Sequence, residues 1–429
     1  GMRDKEIKGA PKIITPSAGD TSLPEPVMLG NGVPVYLAGN GTVDLLRIEF
    51  VFPAGQVLEE VHLAASTTSA MLTEGTLHHD AATINDLIDS TGATLSHAAD
   101  KDTAGLTTVT LTRKLNDVMA LASEVLFSPS FPENEFRILT DRRLQAFQTS
   151  RQKTPVIARE AFYEALCGAG SPYGRITTED DYRRLTTGDL REFHRKHYRP
   201  VNMYVTVAGS EPWKALPVLE KHFSVNGTEQ WQKPPLPSPL LETSEPGKIF
   251  REVPSSVQST IRVGWKGITR NHPDYQALQV ATVILGGYFG SRLMRTIREE
   301  KGYTYGIGAV AGAFHNIGYI TIMTDVANAY RDDTLREIRK EVEKLRTEEV
   351  SGEEMTLVRN HMMGGLARAF DGPFLVADAL RSVIDYETGS DYYTRLAETV
   401  KTITPARIMD IFDKYFNPDE AWEIIAGSR

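Results

Sequence analysis

The chain repeats itself. HYRPVNMYVTVAGS (residues 197–210) aligns without a gap on YFNPDEAWEIIAGS (415–428), pairing Pro200 with Pro418 and Gly209 with Gly427 at a common separation of 218 residues. Thr186 and Thr404 stand at the same separation, each at the start of an expected helix. Thr404 followed by Pro405 reads as an N-cap and first helical position, because the hydroxyl accepts from a free backbone N–H and proline needs no donor there. A duplication this clear is a strong constraint: what one half builds, the other must build again around a core of its own.

The fronts of the halves agree. LRIEFVF (46–52) matches IRVGWKG (261–267), with Ile48 opposite Val263 and Phe50 opposite Trp265. Alternation with period two marks half-buried strands. LTTVTLT (106–112) then precedes an amphipathic helix through Leu115, Val118, Leu121 and Val125, and GYITIMT (318–324) precedes one through Leu335, Ile338, Val342 and Leu345. Strands separated by helices in a repeated unit predict an α+β fold of two homologous domains, each a mainly antiparallel sheet covered on one face by helices.

Between the halves lies QWQKPPLPSPLLETSEPGK, where four of the six residues from Pro234 to Pro239 are proline. Proline lacks a backbone donor and favours extended chain, so the segment reads as a linker. The expected division is an N-terminal domain over 1–230, the linker over 231–247 and a C-terminal domain over 248–429.

Composition removes several function classes. A net charge of −9 with no cluster of Lys and Arg argues against a nucleic-acid partner or an anionic membrane surface. No apolar run reaches the roughly 18 residues of a membrane span. The start, GMRDKEIKGAP, lacks the apolar core of a signal peptide, and Gly1 ahead of Met2 reads as a cloning remnant, so a cytoplasmic location is expected. The single cysteine, Cys167 in REAFYEALCGAG, can form no internal disulfide and reads as a packed small side chain.

With these segments, the sequence resembles the pitrilysin family of inverted-zincin metallopeptidases, which includes insulin-degrading enzyme and mitochondrial processing peptidase. The resemblance runs from about residue 25 to the end and is most specific in SPYGRITTEDDYRRLTTGDLREFHRKHYRPVNMYVTVAGS (171–210) and LGGYFGSRLMRTIREEKGYTYGIGA (285–309). It implies a motif H-x-x-E-H before Met-Leu and Gly-Thr. The two His, four residues apart on one helical face, hold Zn²⁺ while the Glu activates the metal-bound water, and a third ligand, Glu, follows 76 residues on. In LAASTTSAMLTEGT (63–76), alignment on Met71-Leu72 and Gly75-Thr76 puts Ser66 and Ala70 at the two histidines and Ser69 at the base; the 76-residue step then reaches Ala146. Ala has no lone pair, and a neutral Ser hydroxyl is a poor zinc ligand. The expectation is no metal and no cofactor.

Alternative sites are weaker. His194 and His197 lie at i, i+3 near Glu192, but their counterpart MDIFDKYF has no histidine, so a solvated helix face is expected. The adjacent His78 and His79 diverge on any regular element. A Ser nucleophile at position 66 or 69 would need His97 as base with Asp100 or Asp102 behind it; a polar remnant of the lost metal site is the simpler reading. GGYFGS (286–291) lacks the phosphate-loop pattern and reads as a tight turn.

A second constellation remains. The resemblance implies that an Arg and a Tyr seven residues apart bind substrate across the cleft from zinc, and Arg298 and Tyr305 stand at that spacing in RTIREEKGYTYG. A guanidinium and a phenol can both donate to peptide oxygens; the plainer alternative is a helix-end cation and a packed strand residue. A departure is Ser96, where the family has Asn, which weakens the case for peptide binding at that strand. The resulting expectation is a non-catalytic, peptide-binding subunit that supports a zinc-bearing homologous partner in proteolysis as a heterodimer, or pairs with itself. The alternatives are a structural, protein-binding relative with no proteolytic role, or a peptidase using an unrecognised site.

Overall fold

The computed structural model describes residues 21–39, 43–224, 229–235 and 237–429. The first sheet comprises β1 (Val27–Met28), β2 (Pro34–Gly39), β3 (Leu45–Phe52), β4 (Thr94–Ala99), β5 (Ala104–Leu111) and β6 (Tyr204–Gly209), in the spatial order β1-β2-β6-β3-β5-β4. The second comprises β7 (Gly247–Glu252), β8 (Gln258–Gly267), β9 (Ile307–Ala313), β10 (Gly318–Ala327) and β11 (Trp422–Gly427), in the order β7-β11-β8-β10-β9. Without the short β1, the two orders are the same. Both sheets are antiparallel except at one pair each, β2 with β6 and β7 with β11. The expected two-domain α+β fold is the one observed.

The period-two strands face their cores as their sequences require. Leu46, Ile48, Phe50 and Phe52 of β3 are buried against helices Ala64–Met71, Leu115–Phe127 and Ala215–Phe223. Ile261, Val263 and Trp265 of β8 meet helices Tyr275–Gly286, Arg331–Thr347 and Pro405–Tyr415. Thr186 and Thr404 cap their helices, accepting from the backbone N–H of Asp189 and Arg407 respectively. The described linker residues ahead of Gly247, where β7 begins, form no helix or strand, and they run along the end of helix Thr154–Cys167, where Glu242 and Ser244 donate backbone N–H groups to the Cys167 and Ala165 carbonyls.

Each half lends a helix to the far face of the other half's sheet. Thr154–Cys167, from the first half, lies on β8 and β11: Phe162 fills the space over Gly264, where a Cβ would sit 2.1 Å from the ring, and Trp422 meets it edge-on. Pro373–Tyr386, from the second half, lies on β2 and β6, where Ala377 and Leu380 share a buried cluster with Ala38 and Ala208. Pro155 and Pro373, near the starts of the two helices, are again 218 residues apart, so duplicated helices have been exchanged. The first contact is aromatic. The second is tied by charge: Arg47 pairs with Asp378 at 2.7 Å, Arg381 with Glu49 at 3.2 Å, and Tyr204 donates to Asp385 at 2.6 Å.

Cys167 is buried as expected, and burial pushes its thiol up to about 12. Among the described residues no helix is long and apolar enough to cross a membrane.

Candidate functional site

The helix at the degenerate metal motif, Ala64–Met71, starts from Leu63 at φ 74°. This left-handed conformation costs a residue with a Cβ roughly 1–2 kcal/mol, so the helix start is held in place by its surroundings. Ser66 is half-buried and donates to the Leu63 carbonyl at 3.3 Å. Ser69 is completely buried and Ala70 is 5% exposed. Ala146, in helix Glu133–Ser150, is exposed to solvent.

A cation occupies this neighbourhood. Arg143, one turn before Ala146, reaches from its helix to the Ser66 and Thr67 hydroxyls, its Nη1 standing 3.5 and 3.4 Å from their oxygens. Burial lowers its pKa, and Arg142 lowers it further. Among the described residues no carboxylate pairs with it. Ser66 and Ala70 cannot hold zinc, and a guanidinium against Ser66 adds a positive charge where a dication would have to enter. The residues present do not fit the metal. Among the described residues no group of three or more His, Cys, Asp or Glu is placed to bind one.

The structure does bring Ser69 and His97 together: the Ser69 hydroxyl lies 3.4 Å from His97 Nδ1, on edge strand β4. The arrangement stops there. Asp100 accepts from the backbone N–H groups of Asp102 and Thr103, while Asp102 accepts from the Tyr173 hydroxyl and lies 3.9 Å from His315. Neither carboxylate orients His97, and Ser69 is closed to solvent, so no nucleophilic triad forms. Burial, and then Arg143, lowers the His97 pKa. Ser96 is exposed beside His97 on the same strand.

His194 and His197 do not form the solvated face expected of them. His194 turns inward, donates Nε2–H to the Leu126 carbonyl at 2.6 Å and stacks on Tyr198. Leu126 lies in the last turn of helix Leu115–Phe127, where carbonyls lack intrahelical donors, and the imidazole supplies one. His197 packs against Phe193.

In the second half, Met294–Glu300 is π-helical, a rare form frequent at functional positions. It carries Arg298, whose Nε donates to the Tyr305 carbonyl at 3.1 Å and whose guanidinium lies 4.9 Å from the centre of the Phe289 ring. The pair is therefore together, but through the backbone of Tyr305. The Tyr305 side chain is 98% exposed, and Phe289 is 64% exposed. Among the described residues nothing packs on Tyr305, so the alternative of a packed strand residue is not what is seen.

The sequence reading missed Arg143. Its one signal is a position three residues before Ala146 on the same helix, and nothing in the composition of that exposed, charged helix distinguishes it from Arg142.

Two duplicated α+β halves, joined by an irregular linker and interlocked by exchanged helices, define the two-domain class to which the pitrilysin-type metallopeptidases belong. Residues 184–362 match the family described as the peptidase M16 inactive domain. A Rickettsia felis protein described as an uncharacterized zinc protease is 24% identical over 407 residues, covering 94% of this chain and 91% of its own length. Subunit 1 of the bovine mitochondrial cytochrome b-c1 complex is 25% identical over 225 residues, covering 50% of this chain and 45% of its own. The crystal structure of a peptidase M16 inactive domain from Pseudomonas fluorescens superposes with a TM-score of 0.83 at 22% identity, covering 94% of this chain and 98% of that one. The chain is thus similar over most of its length to proteins described as zinc proteases, and over residues 184–362 to the M16 inactive domain.

Proposed function

We propose that the protein is a non-catalytic, peptide-binding subunit that completes the active site of a zinc-bearing homologue. The observation that carries this reading is the contrast between its two candidate sites. Ser66, Ser69, Ala70 and Ala146 stand where the resemblance implies the zinc ligands and the base, and Arg143 reaches to Ser66 among them. Arg298 and Tyr305 remain adjacent, with the Tyr305 phenol turned to solvent. An exposed aromatic donor beside a guanidinium suits a peptide carbonyl or a developing oxyanion supplied by a partner. We place the subunit in the cytoplasm, where its lone thiol stays reduced.

A second reading, a protein-binding relative with no part in proteolysis, is favoured by the likeness to the bovine respiratory subunit. Co-expression with a zinc-bearing homologue from the same genome separates the two. Arg298→Ala and Tyr305→Phe should leave folding and complex formation intact but lower peptidase turnover. Loss of one oxyanion donor typically costs about 10²–10³ in kcat. A role in holding the peptide appears in KM instead. Unchanged kinetics in both variants would move the assignment to the protein-binding reading.

A further inference from the structure

Beside the degenerate motif, with Ser66 in its wall, lies a cavity of about 630 Å³. Three cations line it: Lys101 from the β4–β5 turn, Arg159 from helix Thr154–Cys167 and Arg175 from the loop that follows that helix. Among the described residues none of the three forms an ion pair. Among the described residues, the only hydrogen bond from their side chains is a long one of 3.5 Å from Lys101 Nζ to the Tyr173 carbonyl.

Three carboxylates also line the cavity, and each is engaged elsewhere. Glu59 is bonded to His62 Nδ1 at 2.7 Å and accepts from the Ala65 N–H at 3.0 Å. Asp100 accepts from the backbone N–H groups of Asp102 and Thr103 at 2.9 and 2.8 Å. Glu160 is paired with Arg151 at 2.5 Å. The carboxylates of this wall are engaged, while among the described residues its two guanidiniums have no hydrogen-bond or ion-pair partner and its ammonium has only the long bond to the Tyr173 carbonyl. Two guanidiniums with no acceptor of their own, and an ammonium with only one long bond, line one cavity and call for an anion with several lone pairs.

We propose that this cavity binds the carboxylate of a peptide, either its C-terminus or an Asp or Glu side chain. The proposal rests on the peptide-binding reading above and adds the chemistry that the first half selects. Arg159 and Arg175 hold the carboxylate, a bidentate geometry for which guanidinium is suited. Lys101, half-buried, adds a point charge from the β4–β5 turn. A segment held here passes the Ser66 face of the degenerate motif. An acidic or C-terminal residue thereby fixes the register of the remaining peptide.

Isothermal titration calorimetry on the full chain tests this with three unlabelled octapeptides of one neutral sequence. The first has a free C-terminal carboxylate, the second a C-terminal amide with one internal Glu, and the third a C-terminal amide with no acid. At least one carboxylate-bearing peptide should bind about 10- to 100-fold more tightly than the neutral amide, the range for hydrogen bonds to a charged group. Which of the two does so identifies the source. The advantage should shrink as NaCl is raised. It should vanish in the double variant Arg159→Gln, Arg175→Gln and survive in part in Arg159→Lys, Arg175→Lys, with both folded by circular dichroism. Equal affinity for all three peptides, or a carboxylate preference unchanged in the Gln variant, overturns the proposal and leaves the peptide-binding reading standing. Binding of none of the three overturns both, whereas failure of the Arg298 and Tyr305 test leaves this measurement unaffected.

Discussion

Helix Ala64–Met71 and the π-helical segment Met294–Glu300 come from opposite halves of a duplicated chain and stand in opposite states. In the first, Ser69 is wholly buried, Ser66 bonds to its own helix start, and a guanidinium from the neighbouring helix bridges Ser66 and Thr67. Its polar groups answer one another except Thr68, whose buried hydroxyl has no partner. In the second, Arg298 is held by one backbone carbonyl and one exposed ring, and Tyr305 points into solvent. A site that loses its ligand closes over internal bonds, because unpaired polar groups are expensive to bury. A surface that keeps free donors and an exposed aromatic ring retains the means to bind something else. On this comparison the zinc-equivalent position of the first half has been filled, and the Arg298–Tyr305 surface of the second kept open.

The sharpest way to break the comparison is to rebuild the metal site. Ser66→His, Ser69→Glu, Ala70→His and Ala146→Glu together restore the ligand types and the base, but they leave Arg143 in place. A unit charge about 5 Å from Zn²⁺ opposes it by several kcal/mol even at an effective dielectric constant near 20. The four-fold variant should therefore bind zinc weakly. Adding Arg143→Ala should tighten binding by about 10²-fold or more, as read by competition with a chromophoric chelator. Full recovery depends also on supporting hydrogen bonds around the ligands, which need not have survived. Equal zinc affinity with and without Arg143 would mean that the guanidinium does not fill the site.

Much of this architecture was legible in the sequence. The 218-residue repeat, the period-two strands and the helix-capping threonines are local patterns with local causes, and each appears where it was read. Three features were not legible. Pro155 and Pro373 betray the duplication of the exchanged helices, but their apolar faces do not say which sheet they cover. His194 reads as solvated until the Leu126 carbonyl, 68 residues away in sequence, comes within 2.6 Å. Arg143 gains its meaning from the approach of two helices, its guanidinium reaching Ser66 across 77 residues of sequence. Each belongs to tertiary packing, which a pattern of residue types does not encode.

A smaller effect sharpens the open side of the comparison. The Phe289 ring lies under the Arg298 guanidinium at 4.9 Å, and an exposed cation–π contact is worth about 0.5–1 kcal/mol. In the partnered complex, Phe289→Ala should raise KM by roughly 2- to 5-fold and leave kcat unchanged, because it loosens Arg298 without removing it. A fall in kcat comparable to that of Arg298→Ala would show instead that the ring fixes the guanidinium for the reaction itself.

The smallest expected effect reports directly on the charge in the closed half. His97 has its pKa lowered first by burial and then by Arg143. Arg143→Ala removes the second cause, so the His97 titration followed by NMR should move upward toward the ordinary histidine value of about 6.5. His222, whose pKa is lowered by burial and Lys221, serves as the internal control and should not move. The sign carries into stability. A histidine with a depressed folded-state pKa takes up fewer protons than in the unfolded chain, so its contribution is complete above about pH 6.5 and declines as pH falls through the folded value. Arg143→Ala should therefore make thermal stability less sensitive to acid in this window, relative to each protein's own value at pH 8. A His97 titration unmoved by Arg143→Ala would show that the guanidinium's charge does not reach the old metal position, and the first half would then be vacant rather than filled.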